Sequence, residues 1–559
     1  MPDTLTPAAE ALRAEFLHLV ETAAQPWQPA APAAVLIEPP EPEGEPDESR
    51  PARRRRKREE GETRGGPRLL ALLDASPLYF DPHGGTHIDV DGELHPLDAK
   101  NPFLVETVSA LYHRATGQTM GKDSMGAAVA VLSYRARREG KPAPMANRAC
   151  LWDGALFFDL GNGRAARIAG GAWRVAAAPV GLFRSWPHKR PHPEPAAPGD
   201  AWQLFRFVHV AADDRLFMLA TLAACLVPGV ARPALVITGP QGSGKSTAAR
   251  LFKLALDPGT PALTMIPRRP EDIDLLLARH SFLALDNLSS LPADVADTLS
   301  GVITGAAPQR RKLHTDSELM TLHADVALCF TSINSLSDRP DFLERTLRIQ
   351  LERIEDAERL ADDELDAAFL AMLPGILGGL LSLLAKGLEL LPSYRPPRLP
   401  RMAAFARLAA AIAEGMEEDG GARYLAEFFR NQGAQHMELA EGNLFFGAIL
   451  EACAAGDHPA GTFKAVVAKL RELADPGPKE FFPTARGFAK ALERLRVPLA
   501  TAGIGFEIDR HRTAAGKASV RFFAVATSAE LAAAPLAAGT GAVPAEVPGL
   551  VFDDGELPL

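Results

Sequence analysis

The sequence predicts an α/β protein built round a parallel sheet, with an α+β domain ahead of that core and helical segments behind it. Three observations carry this. From Trp202 to Leu351, apolar runs of strand length alternate with stretches of helix length, as in a parallel sheet. The run Ala234–Thr238 ends in a glycine-rich loop that opens directly into a helical stretch, Ser246 to Leu256. After Leu351 the strand pattern gives way to helices, and strands return only between Phe506 and Val525.

The length of 559 residues allows about three domains, each able to bury its own core. With 60 Lys plus Arg against 70 Asp plus Glu, the net charge of -10 excludes a chain that is basic throughout, though not a local basic face. The four cysteines, Cys150, Cys225, Cys329 and Cys453, have no CxxC spacing, so neither a disulfide framework nor a zinc knuckle is read, and a reducing cytoplasm is expected. The N-terminus lacks the basic start and apolar core of a signal peptide. Ala367 to Ala385 has the length of a membrane span, but Pro374, Gly375, Gly378 and Gly379 interrupt it, and a buried helical pair with no membrane is expected.

Taken in order, residues 1–66 read as a mostly disordered charged arm. An acidic block from Glu38 to Glu48 precedes Arg53 to Arg58, which reads either as a solvated linker or as a phosphate-binding arm. Residues 67–198 read as an α+β domain with helices Pro102 to Thr116 and Ser124 to Glu139. Its one catalytic temptation, Asp89-Val-Asp91, could hold metals, but Asp91-Gly92 between two apolar runs reads better as a hairpin turn. Residues 199–352 form the sheet core, 353–416 a helical lid, 417–525 a further helical unit, and 526–559 a disordered acidic tail.

The chemistry begins at Gly239-Pro240-Gln241-Gly242-Ser243-Gly244-Lys245-Ser246, followed by Thr247, a full match to GxxxxGK[ST] between a strand and a helix. Small residues let backbone N–H groups close round phosphates, and the helix N-terminus adds positive potential. Lys245 would reach the β and γ phosphates of ATP, and the Ser246 hydroxyl would ligate Mg2+. Forty-one residues after Lys245, the run Ser281-Phe-Leu-Ala-Leu-Asp286 ends in a carboxylate placed to share that Mg2+. Asn287 follows where a proton-accepting acid is usual, and an amide can orient water but cannot take its proton. A third strand, Asp325 to Phe330, leads to Thr331 and Asn334, polar candidates for the γ phosphate or attacking water. Arg345, in a short helix before Leu347 to Leu351, could serve as a finger into a neighbouring subunit.

This order of parts resembles the AAA+ ATPases. The short spacing and the basic run Arg310-Arg311-Lys312-Leu-His314 before the third strand look most like superfamily 3 helicases, in particular the ATPase half of phage and plasmid primase-helicases. The resemblance spans Trp202 to Met416. It implies a P-loop core with a helical lid, a hexameric ring, and a hairpin carrying Arg310, Arg311, Lys312 and His314 to DNA. Those residues read otherwise as a solvated basic turn. The lid would bring Arg401 to the γ phosphate.

Phe463 to Leu473, Pro483 to Leu495, Phe506 to Arg510 and Ser519 to Val525 resemble a winged helix. Arg486, Lys490 and Arg494 would line one helix face, with Arg510, Arg512 and Lys517 on the wing, unless the unit merely has a basic solvent face. Two functions follow: a DNA-unwinding or translocating ATPase of a mobile element, or an ATP-gated DNA-binding switch or loader. A small-molecule kinase is disfavoured, since no acceptor site is evident.

Overall fold

The structure, a computed structural model, describes residues 65–525 except 82–83, 92, 268, 307–308, 312–318, 322–323, 333–335, 337–338, 356–358, 442, 455, 457, 474–482, 485–486 and 510–517. The Arg53 to Arg58 arm, Lys312, His314, Asn334, Arg486, Arg510, Arg512 and Lys517 lie outside the described residues, as do both chain ends.

The N-terminal part contains two sheets. The first has β1 (Leu78–Phe80), β2 (Thr86–Val90), β3 (Glu93–Pro96) and β4 (Lys141–Pro142) in the order β3-β2-β1-β4. Helices α1 (Pro102–Thr116) and α2 (Lys122–Glu139) close its core, in which Ile88 and Val90 meet Leu104, Val108 and Leu132. Asn101 starts α1 by accepting the Phe103 and Leu104 N–H groups, and left-handed Gly117 ends it. Val90 pairs with Glu93, and Asp91 sits at φ 55 in the two-residue connection, so Asp91 belongs to a hairpin turn.

The second sheet is an antiparallel meander of β5 (Ala149–Trp152), β6 (Ala155–Gly161), β7 (Arg164–Ala169) and β8 (Ala172–Ala177). Leu156, Phe158, Leu160, Ala166 and Ile168 on its inner face belong to the same apolar core as the main sheet. The boundary expected at residue 198 therefore falls inside one continuous core, and the meander is part of the central unit.

That unit contains α3 (Arg215–Ala224), β9 (Ala234–Thr238), α4 (Lys245–Leu256), α5 (Pro270–Arg279), β10 (Phe282–Leu288) and α6 (Ala293–Ile303). An antiparallel pair, β11 (Gln309–Arg311) and β12 (Leu319–Thr321), precedes β13 (Ala327–Ser332), α7 (Pro340–Leu343) and β14 (Thr346–Gln350). The main sheet runs β10-β13-β9-β14 with every pairing parallel. Its strands are buried on both faces, which explains their unbroken apolar runs. The β14 edge is covered by α10 (Gly420–Glu441). Asn431 accepts the Arg348 N–H at 2.8 Å and donates to the Arg348 carbonyl at 2.7 Å, as a neighbouring strand would, and Gln435 accepts from the Thr346 hydroxyl.

The membrane-length window lies in one continuous helix, α8 (Asp362–Leu390), and not in the helical pair expected from Pro374 and its glycines. The helix runs on through Pro374, and the Pro374 and Gly375 carbonyls accept the N–H groups of Ala196 and Asp200, each at 2.8 Å. That close passage also explains Gly378 and Gly379, where a Cβ would collide with the backbone of Ala196 and Ala201. Half of the apolar window is buried in the core, alongside α3 and α9 (Ala403–Glu414).

A separate core at the C-terminal end joins α11 (Leu444–Ala454), α12 (Phe463–Leu473), α13 (Phe488–Arg494), α14 (Arg496–Thr501) and a three-stranded antiparallel sheet. Its strands are β15 (Ala460–Thr462), β16 (Ile504–Asp509) and β17 (Ser519–Ala524), in the order β15-β17-β16.

Candidate functional site

Parallel strands place all their C-terminal ends on one side of the sheet, and the site is assembled there. The loop after β9 runs from Gly239 to Gly244, and α4 begins at Lys245. Gly242 (φ 80) and Gly244 (φ 75) adopt left-handed backbone, which a residue with a Cβ resists. Lys245 donates to the carbonyls of Gly239 at 2.8 Å and Pro240 at 2.9 Å, so its ammonium lies over its own loop. The Ser243 hydroxyl is buried in the loop with no hydrogen-bond partner among the described residues.

Because β13 lies between β9 and β10, its C-terminal end bridges the loop and Asp286. The Ser246 hydroxyl donates to Asp286 Oδ1 at 2.8 Å, and the buried Thr331 hydroxyl donates to the same oxygen at 2.5 Å. Thr331 Oγ1 in turn accepts the Asn287 N–H at 2.7 Å, and the Asp286 N–H donates to the Thr264 carbonyl at 3.0 Å. Thr331, expected to face phosphate or water, is thus engaged in orienting Asp286. Asn287 is exposed at φ 58, where the β10–β13 register shifts. Asn tolerates that conformation better than most residues.

The two predicted arginines sit elsewhere. Thr346 pairs with Ala234 at the start of β9, so Arg345 lies at the opposite end of the sheet, roughly 16 Å along the strand from the level of Thr238. It pairs with Asp341 at 2.5 Å. Arg401 does not approach the loop of its own chain: it pairs with Glu344 and, at 3.1 Å, with the same Asp341. The reason is that α9 packs on α3, α8 and α10 and does not fold over the loop. The arginine beside the loop is Arg359, whose guanidinium donates to the Gly242 carbonyl at 3.4 Å. Its signal was the strand direction, since a chain leaving a parallel β14 must emerge near the glycine loop.

Sequence reasoning also missed the buried cluster beneath the site. Asp257, at the end of α4, accepts from Arg148 (2.9 Å), Lys253 (2.8 Å) and the Ser281 and Phe282 N–H groups (3.0 and 3.2 Å). Lys253 also donates to the Phe282 carbonyl at 2.6 Å, tying α4 to the start of β10. Burial pushes the Asp257 carboxyl up, but Lys253 and Arg148 outweigh it and hold the pKa well below the usual range. Lys189, paired with Asp159, is lowered to about 8 by burial and by Arg148.

Of the predicted nucleic-acid contacts, Arg310 and Arg311 lie on β11, opposite Met320 and Leu319. Lys490 and Arg494 are exposed one turn apart on α13.

The fold and site define a parallel α/β unit in which a glycine loop, a helix-start hydroxyl and a strand-end carboxylate converge at one end of the sheet. Residues 202–426 match the family model described as the Actinomycete integrative conjugative element replication protein, and over this segment the chain is similar to mobile-element replication proteins. No curated protein matches the chain. Among solved structures, the apo C-terminal region of NrS-1 aligns at 12% identity and TM-score 0.40, over 82% of this chain and 98% of that one. The SCCmec type IV Cch active helicase aligns at 14% and 0.37, over 73% and 91%. The JCV helicase aligns at 13% and 0.22, over 42% and 64%.

Proposed function

We propose that this chain is an ATP-driven, DNA-associated motor of mobile-element replication, working in the cytoplasm as a homo-oligomeric ring, by resemblance a hexamer. The observation that carries the nucleotide reading is the contact between Ser246 and Asp286, which joins glycine loop and strand-end carboxylate at 2.8 Å. Two hard oxygen donors at this separation fit Mg2+, and the buried, unpartnered Ser243 hydroxyl beside left-handed Gly242 and Gly244 fits a phosphate-binding loop. Bound there, Mg2+ would neutralise charge developing on the phosphates.

Lys245 exchanges its loop carbonyls for β and γ phosphate oxygens, and Thr331 holds the Asp286 carboxylate in one orientation. Asn287 is exposed and able to hold water in line, but the proton must leave through another group. Arg345 and Arg401 lie too far from their own loop to serve it, so their role falls on a neighbouring subunit's nucleotide. The C-terminal unit acts as a winged helix, with Lys490 and Arg494 on its DNA-facing helix, and β11–β12 supplies the hairpin that contacts the strand.

A switch or loader that binds ATP without processive unwinding is the second reading, favoured by Asn287. ATP turnover with and without single-stranded DNA, run beside a mass measurement of assembly, separates the two. The motor reading expects DNA-stimulated turnover by an oligomer. It also expects Lys245→Ala to abolish ATP binding, and Arg345→Ala to keep binding but lose stimulation. A monomer without stimulated turnover would refute it.

A further inference from the structure

The second face of the β5–β8 meander is partly covered, with Cys150, Ala155, Phe157 and Ala165 buried against Leu182, but it leaves Trp152 and Arg174 exposed and Arg167 half-buried, and the nucleotide site uses none of the three. Strand residues alternate between faces, and the inner set, Leu156, Phe158, Ala166 and Ile168, is packed into the core. Trp152, Phe157, Arg167 and Arg174 therefore share the other face. Arg167 and Arg174 are directly opposed across β7 and β8, an arrangement in which like charges repel. Among the described residues neither has a carboxylate within ion-pair distance; exposed Asp153 sits in the turn after Trp152, and three other acids near the sheet are engaged elsewhere. Asp159 pairs with Lys189 and Arg148, Glu194 with Arg164, and Glu389, beside the Gly171 turn, with Lys386. The Arg167 guanidinium lies 6.0 Å from the Phe157 ring centroid, and Trp152 on the far edge strand is 38% exposed.

We infer that this face binds a single strand of DNA, with phosphates at Arg167 and Arg174 and a base stacked on Trp152. The inference rests on the reading that the chain works on DNA, and adds a contact region within residues 67–198, a segment to which the motor reading gives no role. Two unneutralised arginines side by side match a polyanion, and strand spacings of about 4.8 Å put Arg167 roughly 10 Å from the Trp152 strand. A single strand is specified because an exposed indole offers its face to an unstacked base, whereas a duplex keeps its bases stacked on one another.

The test is fluorescence anisotropy of the full chain with a labelled oligothymidylate across a salt series. Replacing both arginines (Arg167→Gln with Arg174→Gln) should reduce the slope of log affinity against log salt by about 1.4 and weaken binding roughly tenfold near physiological salt, about 0.7 in slope per phosphate lost. Trp152→Ala should weaken binding at least fivefold, and Trp152→Phe should remove most of the DNA-dependent quenching of tryptophan fluorescence. Thermal stability and nucleotide binding should stay at wild-type values in all three. DNA binding by the wild type that these substitutions leave unchanged would overturn this face alone. Equal dependence on them for duplex DNA, or stronger dependence for RNA of the same sequence, would overturn the assignment to a DNA single strand. Failure of the wild type to bind any oligonucleotide would overturn the DNA reading as a whole.

Discussion

Replacing Asp257 by Asn should unfold the central unit at a markedly lower temperature, and the cluster round Asp257 sets the size of the effect. Three buried cations, Arg148, Lys253 and Lys189, face two carboxylates, Asp257 and Asp159. Arg148 and Lys253 are each 1% exposed, so water cannot take over the missing charge. Removing one partner of a buried pair costs about 3 to 5 kcal/mol. At about 2 to 4 °C per kcal/mol for a unit of this size, the melting temperature should fall by roughly 6 to 20 °C. The double variant Asp257→Asn with Lys253→Met restores the original charge balance and keeps an unbranched chain in the helix slot. It should therefore cost no more than Asp257→Asn alone. The assay is a thermal or denaturant melt of the wild type, both single variants and the double. Costs that add to within about 0.5 kcal/mol would show the groups to be independent and refute the electrostatic account.

Thr331→Val keeps the volume and deletes the hydroxyl that steers Asp286. The Mg2+ concentration needed for half-maximal nucleotide binding should rise about 10- to 100-fold, read from a fluorescent nucleotide titrated with Mg2+, and an unchanged requirement would remove Thr331 from the site. Stability should also fall with acid. Burial and the nearby Lys253 lower the pKa of His280 to about 3 and that of His188 to about 4, against an ordinary 6.5. Both are neutral in the folded chain, so the unfolded chain takes up more protons below pH 6.5. Their contribution is complete above pH 6.5 and lost as pH falls towards 4 and then 3, at about 1.4 kcal/mol per pH unit for His280 alone. Denaturant midpoints at pH 7.5 and 5 should differ accordingly, and a flat profile would count against it.

The sequence made the glycine loop and the β10 carboxylate legible because each is a local pattern: a strand, a run of small residues, a helix start, and an acid ending an apolar run. Non-local relations were harder to read. Thr331 was identified by its position at a strand end, but the receiver of its hydroxyl depended on sheet order, since only with β13 between β9 and β10 does it reach Asp286. Arg401 reads as near the loop only if the helices after β14 fold back over it, whereas α9 packs against α3, α8 and α10 and Arg401 pairs with Asp341 and Glu344. Arg148 carried no signal because its partners Asp257 and Pro258 lie 109 and 110 residues away. Pro374 suggests a break, but the helix continues through it, with the Ala196 and Asp200 N–H groups donating to its Pro374 and Gly375 carbonyls.

The cover on β14 bears on how copies of this chain can meet. A bare edge strand is an invitation to a neighbour's backbone, and sheets that grow that way form open stacks with no natural stopping point. Here the side-chain amides of Asn431 and Gln435 already occupy that hydrogen-bonding row, so the invitation is withdrawn from within the chain. Any contact between copies on this side would have to be made by side chains, not by extending the sheet through β14.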